Sequence, residues 1–191
     1  MSPVIELTKG QETDLATPSG RPLTRIRVGV GWDKERNAGF LGSGKLNVDL
    51  DASAVQFTGT QLFDLAFYNN LATRDGSVVH LGDNLTGGGE GDDEQITVDL
   101  SKVYAKVDTI AFLVSSYQGQ SLEWVNNAFC RVLDDEDNEL ARFQLTAGPS
   151  ETGLAMATLV RSGDGWKLRA IGEGVAVKVP TESVEALQPY L

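Results

Sequence analysis

The sequence predicts an all-β chain, a two-sheet β-sandwich of about ten short strands with at most one or two short helices. Three observations carry this. Apolar residues recur with period two in one short run after another, as in Arg25-Ile26-Arg27-Val28-Gly29-Val30, the pattern of a half-buried strand. Glycine supplies 21 of 191 residues, which suits many tight turns. Runs with helical spacing are scarce, and no Pro/Ser-rich linker divides the chain, so one domain over residues 1–191 is expected.

In chain order, the strand candidates begin with Val4–Thr8 and the run from Arg25. Asn47–Ala54, Phe63–Tyr68, Ser77–Leu81, Gln95–Leu100 and Thr109–Ser115 follow. The second half adds Ala128–Leu133, Glu139–Leu145, Met156–Arg161 and Trp166–Ile171. Asp75-Gly76 and Gly163-Asp164-Gly165 have the chemistry of hairpin turns. Ser121–Val125 is long enough for one helical turn. Thr181–Gln188 reads as a short helix with Thr181 as N-cap, Val184 and Leu187 on one face, and Pro189 as its stop. Lys34–Gly44 reads as a Gly/Asn/Ser-rich loop.

Charge separates the function classes. Sixteen basic and 27 acidic residues leave a net charge of −11. Nucleic-acid binding draws its affinity from Lys and Arg on phosphates, so no nucleic-acid partner is expected. Docking on anionic lipid is disfavoured for the same reason. Between Leu46 and Ser101 there is one basic residue, Arg74, against ten acids, so most of the excess charge sits in under a third of the chain. The longest strictly apolar run, Ile110 to Val114, is too short to span a bilayer, so no membrane insertion is expected. A single cysteine, Cys130 in an apolar run, and a start without signal-peptide character point to the cytoplasm.

Gly82 to Glu94 packs five carboxylates (Asp83, Glu90, Asp92, Asp93, Glu94), Asn84, Thr86 and five glycines into thirteen residues with no cation. Carboxylates so crowded repel one another unless something positive sits among them. Calcium takes six to eight oxygens in a flexible shell, and glycines let backbone carbonyls turn inward to join it. A second cluster surrounds Asp49-Leu50-Asp51. Alternation along a strand puts Asn47, Asp49 and Asp51 on one side and Val48 and Leu50 in the core. Asp33, after Gly31-Trp32, and Asn69-Asn70, after Phe67-Tyr68, supply further oxygens from strand ends. Asp134 to Glu139, between two apolar strands, reads instead as a solvated hairpin tip.

Other chemistries find little footing. EF-hand spacing needs Gly at the sixth position of its loop. Counting from Asp134 gives Glu139 there, and counting from Asp49 gives Ala54. Gly39 to Lys45 has phosphate-loop spacing, but Leu46 stands where Ser or Thr should hold magnesium, and a β pattern follows. With one histidine and one cysteine, a multi-His or multi-Cys zinc site is excluded. His80, between Val79 and Leu81, reads as a hydrogen-bonded structural residue. The chain is therefore expected not to be an enzyme.

The run GDNLTGGGEGDDEQI, Gly82 to Ile96, closely resembles the central motif of the TerD-like tellurium-resistance (stress-response) proteins. GVGWD at Gly29–Asp33, DLDASA at Asp49–Ala54, FYNN at Phe67–Asn70, NAFCRV at Asn127–Val132 and ELARF at Glu139–Phe143 extend the resemblance over most of the chain. Asn47 stands where that family often has an acid, and Glu173 to Leu191 differs from its Gly-rich tail. The resemblance implies a β-sandwich that binds calcium and takes part in resistance to tellurite and other stresses. It implies ligand regions at Asp33, Asp49, Asp51, Asn69, Asn70, Asp83, Asn84, Glu90, Asp92, Asp93 and Glu94. The expected cofactor is Ca2+, and the expected partners are calcium ions and proteins of a stress-response complex, including membrane-associated ones. The alternative expectation is a receptor for a small molecule of the cyclic-nucleotide kind.

Overall fold

A computed structural model describes residues 4–34, 50–83, 91–123 and 125–191, without the side chains of Asp33, Lys34, Asp83 and Asn126. Among the described residues, twelve strands form two six-stranded sheets. The first sheet runs β1 (Ile5–Leu7), β10 (Glu139–Gln144), β9 (Val125–Leu133), β3 (Arg25–Lys34), β7 (Glu94–Asp99), β6 (Val78–Asp83). The second runs β2 (Glu12–Asp14), β12 (Gly165–Val175), β11 (Gly153–Ser162), β8 (Thr109–Ser116), β4 (Leu50–Thr58), β5 (Gln61–Ala66). Every pairing is antiparallel except β1 with β10. The β-sandwich expected from the alternating runs is the fold.

The inner faces make the main core. Ile26, Val28, Val30, Ile96, Val98, Cys130 and Val132 from the first sheet meet Ala52, Ala54, Ile110, Phe112, Leu154 and Leu159 from the second. On β3 the alternate residues Arg25, Arg27, Gly29 and Gly31 face outward, as period two requires. The second sheet breaks that pattern. All of β8, and all of β4 except Thr58, is buried on both faces. The cause is the chain end. A 3-10 turn (Pro180–Glu182), a one-turn helix α1 (Val184–Leu187) and a second 3-10 turn (Gln188–Tyr190) lie over the outer face. Leu187, Val184, Ala186, Tyr190 and Leu191 pack there on Val55, Phe57, Ala111, Leu113 and Ala155.

The expected C-terminal helix is thus present but broken. Ser183, not Thr181, is the residue before α1, and Pro189 lies inside the last 3-10 turn. The described residues of Ser121–Val125 form no helix, because Val125 opens β9 opposite Lys34. The β11–β12 hairpin turns through Gly163 and Asp164, with Gly163 at φ +56°, a conformation a side chain would strain. At the β9–β10 tip, Asp134 Oδ1 accepts the backbone N–H groups of Glu136 and Asn138, so part of this acidic run is spent holding its own turn.

Asp75-Gly76 turns the chain into β6, and its carboxylate is a hub. Oδ1 accepts from the Ser77 N–H, the Ser77 hydroxyl and the Thr73 hydroxyl, and Oδ2 accepts from the Tyr104 N–H. Burial alone would push this carboxyl up, but the converging donors outweigh it and hold it below its ordinary value. A depressed carboxyl stabilises the fold above its unfolded pKa, and the benefit is lost as pH falls through the folded value. Asp75→Ala should therefore cost about 1–3 kcal/mol near pH 7 in urea unfolding. The gap to the parent protein should shrink below about pH 4.

Candidate functional site

The segments that carry the candidate ligands leave the sandwich from one end. β3 finishes there, with Asp33 opposite Asn126 at the start of β9. β7 starts there, with Glu94 opposite Val30 of β3 and Asp83 of β6. The start of β4 is fastened to the same place from the other sheet, because the Ala52 N–H donates to Glu94 Oε2 at 2.5 Å. The chain between β3 and β4, and that between β6 and β7, therefore both begin and end here. Asp49, Asn84 and Glu90 lie outside the described residues, and each is the sequence neighbour of a described one: Leu50, Asp83 and Gly91. Asp33 and Asp83 are placed by their backbone only.

Glu94 is 3 % exposed and His80 2 % exposed, and together they clasp β4. β5 pairs with β4 only as far as Ala54, so on that edge no described strand pairs with Ala52. Glu94 takes its N–H, and His80 Nε2 lies 3.1 Å from its carbonyl oxygen. The same Nε2 is 3.1 Å from Glu94 Oε2. His80 Nδ1 accepts the Gly82 N–H at 3.0 Å, which places the ring proton on Nε2, facing both oxygens. Three strands from two sheets meet in this one buried set of polar contacts.

Asp92 goes the other way. Residues 91–93 precede β7, so the period-two rule does not hold Asp92 and Glu94 on one face. The Asp92 side chain is fully buried against the outer face of the first sheet. Arg131 Nε reaches its Oδ1 at 2.7 Å, and Arg131 Nη2 reaches its Oδ2 at 3.1 Å. Gln95 donates to Oδ2 at 3.0 Å. Gly29 makes the room, since a Cβ there would run into this carboxylate. Arg131 continues to Glu139, which Arg142 also grips, and the Arg142 guanidinium stacks on Phe129 at 4.7 Å. The hydrogen bonds to Asp92 and Glu139 hold the Arg131 guanidinium above its ordinary value, and Arg142 and then Arg131 hold Glu139 below its own.

The remaining candidates are spread out. Asp93 is half-buried, its Oδ2 accepts the Trp32 N–H at 2.8 Å, and its own N–H donates to the Val30 carbonyl. Asp51 is opposite Ser115 on β8, on the β4 face that carries Val55. Leu50 turns into the core, as the alternation predicts. Burial first, then Tyr117 and Asp51, push the Tyr68 phenol above its ordinary value, which places Asp51 near a Tyr68–Tyr117 edge-to-face pair. Asn69 and Asn70 are exposed in a tight turn. Phe67 and Asn70 exchange backbone hydrogen bonds, and Asn70 Nδ2 donates to the Leu65 carbonyl at 2.7 Å.

The donor set fits calcium in kind, being carboxylates and carboxamides, but the described members do not form a shell. Both Asp92 oxygens serve Arg131, and Glu94 Oε2 serves Ala52 and His80. Among the described residues no group of three or more His, Cys, Asp or Glu could hold a metal ion. Sequence reasoning took the acid run as uncompensated and missed Arg131, which stands 39 positions beyond Asp92. The available signal was a lone arginine amid the apolar run of β9. The cysteine offers no exposed chemistry. Cys130 is fully buried, and burial, helped by the charge of Asp92, pushes its thiol up to about 12. No described helix is long and apolar enough to cross a membrane.

Comparison with known proteins agrees with this architecture. A family model described as the TerD domain matches residues 3–181. Tellurium resistance protein TerZ of Serratia marcescens is 42% identical over 173 residues, covering 88% of this chain and 89% of its own. Stress response protein SCP2 of Bacillus subtilis (strain 168) is 40% identical over 184 residues, covering 89% and 92%. A crystal structure of a homologue of telluride resistance protein (TerD) from Streptomyces coelicolor A3(2) superposes with a TM-score of 0.64 at 20% identity, over 85% of this chain and 95% of that one.

Proposed function

The chain belongs to the TerD family of tellurium-resistance and stress-response proteins, and on that premise we propose that it is a calcium-binding, non-enzymatic cytoplasmic component of such a response. The observation that carries the reading is the shared origin of the two acid-bearing segments, 35–49 and 84–90, at one end of the sandwich. The oxygens we assign to calcium are those of Asp33, Asp49, Asp83, Asn84 and Glu90, with Asp93 beside them. Bound there, the ion supplies the positive charge that lets these carboxylates approach one another. The protein holds the strand ends in place, and the ordered loops then offer a surface to a protein partner of the stress response. The non-enzymatic reading is supported by the two residues best suited to nucleophilic or acid–base chemistry. Cys130 is sealed in the core, and both ring nitrogens of His80 are committed to the fold.

Tellurite tolerance in a strain lacking this protein tests the reading. Returned with Asp83→Asn and Glu90→Gln together, the protein should fold but fail to restore tolerance, while the parent sequence restores it. Full tolerance from the double variant would overturn the calcium requirement.

A further inference from the structure

Within the acid run, Glu94 stands apart from the acids assigned above. It is 3 % exposed, it sits between the sheets, and its Oε2 meets a backbone N–H and an imidazole. We propose that Glu94 and His80 are positioning residues, a clasp that fixes the start of β4 against the ends of β6 and β7 and so sets the spacing of the two acid-bearing segments without ligating the ion. Three observations support it. The clasp meets both backbone polar groups of Ala52, on the edge of β4 where its pairing with β5 has ended at Ala54. The imidazole is oriented from behind by the Gly82 N–H on Nδ1, so Nε2–H is aimed at the Ala52 carbonyl and at Glu94. Glu94 also pairs through its backbone with Val30 and Asp83, so whatever moves Glu94 moves the ends of β3 and β6 as well.

The inference depends on the calcium reading only in its second half, and the two halves separate cleanly. A ligand in a crowd of carboxylates destabilises the metal-free protein, so removing it should raise the metal-free melting temperature and cost bound calcium. A clasp does the reverse. Losing Glu94 takes the acceptor from the buried Ala52 N–H, a group that is costly to leave unmatched, and one of the two oxygens that face His80 Nε2–H.

The experiment is thermal melting in chelator, paired with calcium calorimetry, on the full chain and its Glu94→Ala, Glu94→Gln, His80→Ala and Glu94→Ala/His80→Ala variants. Glu94→Ala should lower the chelated melting temperature by roughly 5–10 °C, and Glu94→Gln, which keeps an oxygen for Ala52, by less. The double variant should fall by less than the two single falls combined, because the two residues act as a unit. Calcium stoichiometry in Glu94→Gln should match the parent. If Glu94→Ala does not fold, Glu94→Gln carries the test. A chelated melting temperature at or above the parent's, or the loss of a bound ion in Glu94→Gln, would overturn the clasp. A parent protein that takes up no calcium at all would defeat the calcium reading alone, and the chelated melts would still decide the clasp.

Discussion

Arg131→Ala should destabilise the protein by about 3–5 kcal/mol, among the largest effects of any single substitution outside the apolar core. The reason is burial rather than charge count. The Asp92 side chain is completely excluded from solvent, and Arg131 contacts both of its oxygens. Removing the guanidinium takes away the charged partner around which this buried site is shaped and leaves Gln95 as a neutral donor to Oδ2. Exposed pairs contribute far less, because water and salt screen them. Arg25 pairs with Asp99 at 3.2 Å but is 61 % exposed, so Arg25→Ala should stay within about 1 kcal/mol of the parent. Urea unfolding of both variants makes the comparison. The double change Asp92→Ala with Arg131→Ala should cost less than the two single losses combined, since neither charge is then stranded. Equal, small effects for Arg25→Ala and Arg131→Ala would mean that the Asp92 contact contributes no more than a surface pair.

Deleting residues 180–191 should be at least as damaging. Those residues carry the cover of the second sheet, and Leu187, fully buried, is its centre. Leu187→Ala alone should cost about 2–5 kcal/mol, the range for a buried leucine whose cavity refills poorly. Deletion uncovers Val55, Phe57, Ala111, Leu113 and Ala155 together, a contiguous apolar face on the middle strands of the sheet. A face of that kind drives association. The shortened chain should melt well below the parent and aggregate in size-exclusion chromatography. A monomeric deletion variant with an unchanged melting temperature would show that the segment is not a structural cover.

Most of the sandwich was legible because alternation reports the inner faces directly. Ile26, Val28 and Val30 on β3 and Ile96 and Val98 on β7 fall where period two puts them. β2 was not legible. Glu12–Asp14 has no apolar alternation, and its place comes from backbone pairing with Lys167–Arg169 of β12. β4 was read as Asn47–Ala54, whereas the described strand is Leu50–Thr58. Its second half hid because both faces are buried, so the apolar residues change phase, from Leu50, Ala52 and Ala54 on the inner face to Val55 and Phe57 on the outer one. The turn at Ser121 failed for a related reason, since β-pairing of Val125 with Lys34 overrides a weak local preference.

The site was less legible than the fold. The run from Gly82 to Glu94 spans the connection from β6 to β7, and the strand ends that carry it converge with the end of β3. Spacing could not tell that Asp92 and Glu94, two residues apart, leave the backbone toward opposite sides of the first sheet. That division is set by Arg131 on β9 and Ala52 on β4, one far along the chain and the other a backbone group with no sequence signature. His80 was readable as structural, because a single histidine between apolar neighbours had few chemical partners to work with. Its actual partner, Glu94, was not.

Calorimetric titration of calcium into chelator-stripped protein, with magnesium as control and a melting curve for each state, tests the central claim most directly. Saturable calcium binding, weak or absent magnesium binding, and a melting temperature that rises with calcium by several degrees are predicted, since a ligand that binds only the folded chain stabilises it by mass action. No heat of binding and identical melting curves with calcium and with chelator would contradict it.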